Sequence, residues 1–496
     1  MRTIVLLVFS IVFRVVSVFF IRTWFVPDEV FQSVEVAHRI VFGSGHLSWE
    51  WKNALRSVLH PYFVALGFIF LKLFSIDTVE TVIYLPRLMH AFVFGLSDYC
   101  YYSLAKRLLT PNGARFAMFS YLTSWFVCYC APRTLSNSLE TALMLISFKW
   151  YPFTKASASL PVKSYWFYLV VAFFSIFIRP TAILIWFPLG LWHVFRHSKP
   201  FQLIIFTIFA AFIPSFLITF VLDSLFYGFP VLTVWNFAKF NVFEGGSEHF
   251  GVNSFHWYFS EGLFSVLTVH LFPVILGVLL ALVKREVSLV PFLLTAFYVT
   301  FHSFLAHKEH RFLLPVIPLL CLYAGHFFAT ASRQLSVSKL FLCFTLVTVN
   351  ISLASYFCMY HQSGPYKVSE FIASDAALRN YSHIGVLQLM PCYSMPQYSH
   401  LHGFDLSVRA LDCSPNLNRT NSYVDEAEKF FSGPENFVSS TNVLSNATYV
   451  VAYSKMYERL LPLLEQANFT KRECFFHAHF LTSERQDSRI CIGLKG

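Results

Sequence analysis

A chain of 496 residues with 56% hydrophobic and only 13% charged residues, at a mean hydropathy of +0.56, lies outside the range of soluble globular proteins. Its net charge is +10, but the basic residues are scattered between apolar runs. Without a basic stripe or nucleic-acid motif this excludes a nucleic-acid partner and points to positive loops beside anionic membrane lipid. Gly-rich phosphate loops, Cys/His zinc spacings and a Gly-x-Ser-x-Gly elbow are missing from the sequence, which argues against soluble nucleotide-driven or hydrolase chemistry.

The first apolar run, 4–24, is longer than a signal-peptide core, carries Arg14 and lacks a small-x-small cleavage site, so it reads as a retained span. Further runs of spanning character follow at 61–75, 83–104, 116–131, 136–152, 165–178, 181–195, 201–222, 262–283, 288–305, 312–331 and 338–358. Arg179-Pro180 divides one long apolar stretch as a kink, a re-entrant turn or a loop. Basic clusters at 196–199, 284–285 and 333–339 mark cytosolic loops, which places 223–261, 306–311 and everything after 360 on the opposite side. A cytosolic start and a luminal end need an odd number of spans, so one of these twelve runs is miscounted, with 61–75 and the split 165–195 the weakest.

Composition divides the chain into a multi-span domain over 1–359 and a polar domain over 360–496. In the latter, strand-like runs (384–390, 449–453) and a helical one (457–466) predict a small α/β module. It holds N-glycosylation patterns starting at Asn380, Asn418, Asn446 and Asn468. It also holds Cys392, Cys413, Cys474 and Cys491, enough for two disulfides in any of three connectivities in an oxidising compartment. The other six cysteines lie in or beside apolar runs and read as packing residues.

Two constellations carry chemistry. Asp28 and Glu29 follow Pro27 at the mouth of the first span, where carboxylates are expensive to keep. Adjacent side chains diverge, so one acid faces a site and the other supports it; a single carboxylate suffices as a general base when the leaving group departs as an anion. Pro27-Asp28-Glu29 is equally a good helix start. Downstream, His307, Lys308, Glu309, His310 and Arg311 lie between two apolar runs. That density of cations suits a phosphate, or anchors span ends at the interface. Arg87, Asp98, Arg133 and Arg179, in or near apolar runs, read as internal ion pairs. Trp49, Glu50 and Trp51 suit stacking on sugar faces or an interfacial aromatic belt.

The run Phe25-Val26-Pro27-Asp28-Glu29-Val30-Phe31-Gln32-Ser33-Val34-Glu35-Val36-Ala37-His38, continuing to Leu47-Ser48-Trp49-Glu50-Trp51, resembles the first loop of glycosyltransferase family 22. His307-Lys308-Glu309-His310-Arg311-Phe312 is similar to that family's second hallmark. Residues 32–38, 389–400 and Cys413-Ser414-Pro415 look most like the branch adding the third mannose to glycosylphosphatidylinositol (GPI) precursors, the GPI mannosyltransferase III type. The resemblance implies a GT-C fold, a polytopic α-helical membrane protein of the endoplasmic reticulum with a small luminal α/β-type domain. Its luminal catalytic loops would be 25–60, 223–261 and 306–311. It implies dolichyl phosphate mannose as the lipid-linked donor, a dimannosylated GPI glycolipid as acceptor, and α1,2 transfer with inversion. No cofactor or metal is implied. Asp28 would be the base with Glu29 beside it. His307, Lys308, His310 and Arg311 would hold the donor phosphate, with Glu309, Glu35, His38, Trp49, Glu50 and Trp51 supporting the site or the acceptor. The competing readings are a mannosyltransferase of dolichol-linked N-glycan assembly and a polar-lipid transporter or scramblase.

Overall fold

Each of the twelve apolar runs becomes helical over most of its length, because in a bilayer the backbone must satisfy its own hydrogen bonds. The computed structural model describes residues 2–154, 157–331, 336–417 and 423–496; Arg333 in the last basic cluster and Asn418 fall outside them. Among the described residues, five helices are long and apolar enough to cross a membrane: Val79–Leu108, Pro200–Tyr227, Tyr258–Lys284, His310–Thr330 and Leu340–Leu378. Shorter apolar helices occupy Ile4–Val18, Leu59–Leu73, Val162–Ile178 and Val290–Phe304. The chain is a multi-pass membrane protein. Arg179-Pro180 is a true break: the helix ending at Ile178 gives way to an extended Arg179 (φ −143°, ψ 103°), one 3₁₀ turn, and a new helix Ile183–Arg196. Pro180 supplies no N–H and disfavours helical geometry at the residue before it.

By compactness the chain forms two units. One comprises Met1–Phe19, Glu50–Tyr62 and Arg87–Ala354; the other comprises Phe20–Trp49, Phe63–Pro86 and Ser355–Gly496.

In the first unit, helices approach closely where glycine allows it. A Cβ on Gly325 would lie 2.5 Å from the backbone of Gly113 and Ala117, so the helices Ile317–Ala331 and Pro111–Thr123 pack backbone to backbone. Arg14, fully buried, donates through Nε and Nη2 to Asp98 at 2.7 and 3.2 Å, and the Tyr121 hydroxyl donates to the same carboxylate at 2.8 Å. The first span is thereby held by a fork-shaped ion pair, and Arg179 pairs with Glu140 at 3.0 Å in the same unit. The expectation of internal pairing holds for Asp98 and Arg179.

The second unit is built on a five-stranded mixed sheet of β1 (Ile384–Leu389), β2 (Leu406–Ala410), β3 (Tyr449–Tyr453), β4 (Phe469–Phe476) and β5 (Arg489–Lys495), in the order β2-β1-β3-β5-β4. β1 runs parallel to β2 and β3, while β5 is antiparallel to β3 and β4. Alternate residues feed two cores. Tyr449 and Val451 pack with Ile372 of the helix Gly364–Leu378, whereas Val450 and Ala452 pack with Leu460 and Leu464 of Ser454–Gln466. Of the three possible connectivities the fold takes Cys392–Cys413 and Cys474–Cys491, the latter across the β4–β5 register. Asn380, Asn446 and Asn468 are exposed. The first loop as far as Trp49 belongs to this unit: the Arg22 and Trp24 amides donate to the carbonyls of Cys358 and Gln362. Trp24, Phe31 and Val34 share an apolar core with Phe68, flanked by Tyr366 and Tyr393.

Removing one partner of a buried ion pair strands the other charge in apolar surroundings, which costs about 3–5 kcal/mol. Asp98→Asn is expected to lower the melting temperature of the detergent-purified protein markedly. A melting curve unchanged from wild type would show that the pair does not hold the first span.

Candidate functional site

The acidic motif opens a helix, as its Pro27 start predicts. Phe31 N–H donates to the Pro27 carbonyl at 2.9 Å, a π turn runs over Val30–Val34, and the α-helix Glu35–Phe42 continues it. Asp28 is half-buried and Glu29 is fully buried, so the two neighbouring carboxylates occupy different environments. This is the divergence that adjacent positions on a helical turn impose.

Glu35 and His38 are both buried and tie this helix to the terminal domain. Glu35 Oε1 accepts from the Ser399 amide at 2.9 Å, the Ser399 hydroxyl at 2.8 Å and the Gln397 amide at 3.3 Å. Its Oε2 accepts from the His46 amide at 3.1 Å. Gly45 is required beside this contact, since a Cβ there would lie 2.2 Å from the Glu35 carbonyl oxygen. His38 Nδ1 faces the Ser44 carbonyl at 2.5 Å and Nε2 meets His402 Nδ1 at 2.8 Å, while His402 Nε2 lies 3.4 Å from Asp77. Burial holds the His38 imidazole below its ordinary range, against the opposing pull of the Ser44 carbonyl and Glu35. Trp49 is buried in this unit.

In the other unit, Glu50 accepts from Arg56 Nη2 at 2.6 Å, and the Arg56 guanidinium lies over Phe237. Trp51 is buried, with the Phe226 ring edge-on at 5.7 Å and the Tyr227 ring stacked at 6.5 Å. Asp223 fixes the segment that follows, accepting from the Ser57 hydroxyl at 2.9 Å, the Val58 amide at 2.8 Å and the Thr233 hydroxyl at 2.6 Å. Sequence reading passed over Asp223, although an acid directly at the end of the apolar run 201–222 is the kind of costly residue that signals a role.

The cationic loop of the same unit is internally paired. Glu309 accepts from Arg311 Nε at 2.6 Å and Nη2 at 2.5 Å, and from His307 Nε2 at 2.8 Å. Burial opposes its charge, yet Arg311 and His307 hold the Glu309 carboxylate well below the usual range. Lys308 is turned inward: its Nζ donates to the carbonyls of Leu305 at 2.6 Å and Asn253 at 3.0 Å, and burial pushes it below its ordinary value. Asn253 N–H in turn donates to Ala306 O, so the loops 223–261 and 306–311 are joined side by side. His310 stacks edge-on against Trp257 at 4.8 Å. Of the four cations assigned to a phosphate, two, His307 and Arg311, already share the Glu309 carboxylate. Phe312, the hallmark's last residue, has the guanidinium carbons of Arg179 and Arg311 at 5.0 and 5.3 Å from its ring centre.

The fold is that of membrane-embedded GT-C glycosyltransferases. ArnT from Cupriavidus metallidurans in the apo state matches with a TM-score of 0.59 at 14% identity, over 99% of this chain and 97% of that one. The same protein bound to undecaprenyl phosphate gives 0.57. An Archaeoglobus fulgidus oligosaccharyltransferase gives 0.54 at 13% identity, over 95% and 72% of the two chains. The chain belongs to the Alg9-like mannosyltransferase family, whose sequence signature covers residues 5–402. It is similar to GPI alpha-1,2-mannosyltransferase 3 of Bos taurus (35% identity, 99% of this chain, 89% of the relative). The Homo sapiens protein of that name is 34% identical over 99% of this chain and 87% of its own. The Danio rerio one is 34% identical over 95% and 87%.

Glu309→Gln keeps the shape of the clamp and removes its charge, leaving the buried Arg311 guanidinium short of its anion. An added polyprenyl phosphate is then expected to raise the melting temperature of the variant more than that of wild type. Equal shifts for the two proteins would show that the Arg311 fork does not receive phosphate.

Proposed function

We propose that this protein transfers mannose from dolichyl phosphate mannose to the second mannose of a GPI-anchor precursor, in α1,2 linkage, on the luminal face of the endoplasmic reticulum. The observation that carries the reading is the near full-length similarity to vertebrate enzymes named GPI alpha-1,2-mannosyltransferase 3, at 34–35% identity over 95–99% of the chain. Assembly of dolichol-linked N-glycans is not favoured by these relatives.

The chemistry follows from the charges. The acceptor hydroxyl oxygen attacks the anomeric carbon from the face opposite the phosphate, so a β-linked donor gives an α product. The hydroxyl proton passes to the Asp28 carboxylate, and the C1–O bonding pair leaves with dolichyl phosphate. A phosphate monoester is already a stable anion, so the step asks for no metal or nucleotide, and we propose none. Arg311 and His307 meet the departing charge. A planar two-oxygen anion already sits in the Arg311 fork as Glu309, which supports the fork's suitability for phosphate oxygens. Lys308, committed to backbone carbonyls, shapes the loop in this reading. The half-buried position of Asp28 beside the buried Glu29 supports Asp28 as the base and Glu29 as its support. The exposed sequons and two disulfides of the terminal domain support a luminal, oxidising location.

Asp28→Asn preserves shape but cannot take the proton. Transfer from dolichyl phosphate mannose to a two-mannose GPI acceptor is expected to fall about 10²–10⁴-fold at unchanged protein abundance. Near-normal transfer would remove Asp28 from this role and turn attention to Glu29.

A further inference from the structure

We propose that Glu140, Tyr298 and His302 form the subsite that binds the hydroxyl groups of the sugar carried by the lipid donor, a proposal that rests on the donor reading above. Glu140 lies within the helix Ser136–Phe148 and is 2% exposed. Its Oε2 is 3.0 Å from Arg179 Nε, yet neither carboxylate oxygen has a hydrogen-bond partner. The Tyr298 hydroxyl and His302 Nε2 are likewise buried and without partners. Buried polar atoms left unpaired are rare in native proteins, and several in one neighbourhood call for an explanation.

These groups are neighbours. The Tyr298 and His302 rings are 4.3 Å apart, and His302 lies 5.9 Å from the ring of Phe312. On that same ring rest the guanidinium groups of Arg179, which pairs with Glu140, and of Arg311 from the cationic loop. The cluster is therefore continuous with the loop to which we assign the donor phosphate.

The chemistry of the set selects the ligand. His302 Nδ1 is 3.0 Å from the Tyr298 carbonyl oxygen, which only accepts, so Nδ1 carries the hydrogen and Nε2 of the neutral ring is an acceptor. Two carboxylate oxygens and one imidazole nitrogen then all ask for donors, and the phenol answers either way. A phosphate oxygen offers acceptors and fits poorly here. A pyranose with vicinal hydroxyls offers the donors that are missing, and Arg179, 3.0 Å from Oε2, orients the Glu140 side chain for them.

The test uses the full-length protein purified in detergent, with dolichyl phosphate mannose and dolichyl phosphate glucose as competing donors. The two sugars differ in the orientation of one hydroxyl. Because the Tyr298 hydroxyl makes no hydrogen bond to another protein group, Tyr298→Phe is expected to leave the ligand-free melting temperature unchanged or slightly higher. It should raise the donor KM about 3–10-fold, leave the acceptor KM unaltered, and narrow the preference for mannose. His302→Phe is expected to act in the same direction. Glu140→Gln should do so more strongly, and if that variant fails to fold the other two still decide. Wild-type donor KM and sugar preference in both Tyr298→Phe and His302→Phe would overturn the proposal while leaving the donor reading intact. A wild-type enzyme that does not use dolichyl phosphate mannose would overturn both.

Discussion

A charge carried into apolar surroundings must be neutralised where it stands, and this one constraint organises the protein. Arg14 and Asp98 satisfy it completely: both are fully buried, the fork is two-pronged, and Tyr121 occupies the same carboxylate. Such a pair is a structural fastening of the first span. Arg311 and Glu309 satisfy it with a carboxylate that a phosphate resembles in geometry and charge. Arg179 and Glu140 meet it least fully, being close in space while the acid's oxygens lack hydrogen bonds. The completeness of pairing thus separates fastening from function.

Polar side chains that bond to backbone amides and carbonyls perform the complementary task of fixing loops. Glu35 does so for the acidic loop by accepting from the amides of His46, Gln397 and Ser399. Lys308 binds the carbonyls of Leu305 and Asn253, and Asp223 holds the Ser57–Val58 segment. Two residues that resembled site groups in the sequence, Glu35 and Lys308, therefore have their charges spent on holding chain in place. Precise placement of a base or an anion grip needs such support, because a loop free to move by an ångström loses catalytic geometry.

What was legible in the sequence follows from what is local. Pro27-Asp28-Glu29 announced its helix, Arg179-Pro180 its break, and the runs at 384–390 and 449–453 their strands, because each depends on neighbouring residues alone. The strand at 469–476 was missed since β4 is a largely exposed edge strand, without the apolar alternation of a buried one. Helix lengths were misjudged where apolar runs continue past the helix end, as at Val18. The partners of the site were illegible: His38 with His402, Glu35 with Ser399, and Lys308 with Asn253 are separated by 364, 364 and 55 positions. Glu140 did carry a signal, as an isolated acid in an apolar run, but without Arg179 beside it that acid has no visible purpose.

The central claim concerns the acceptor, and the lipids that accumulate when the protein is absent test it most directly. Mass spectrometry of glycolipids from cells lacking this chain is expected to show a build-up of GPI precursors bearing two mannoses, with dolichol-linked oligosaccharides of full length. A normal GPI profile accompanied by truncated dolichol oligosaccharides would contradict the account.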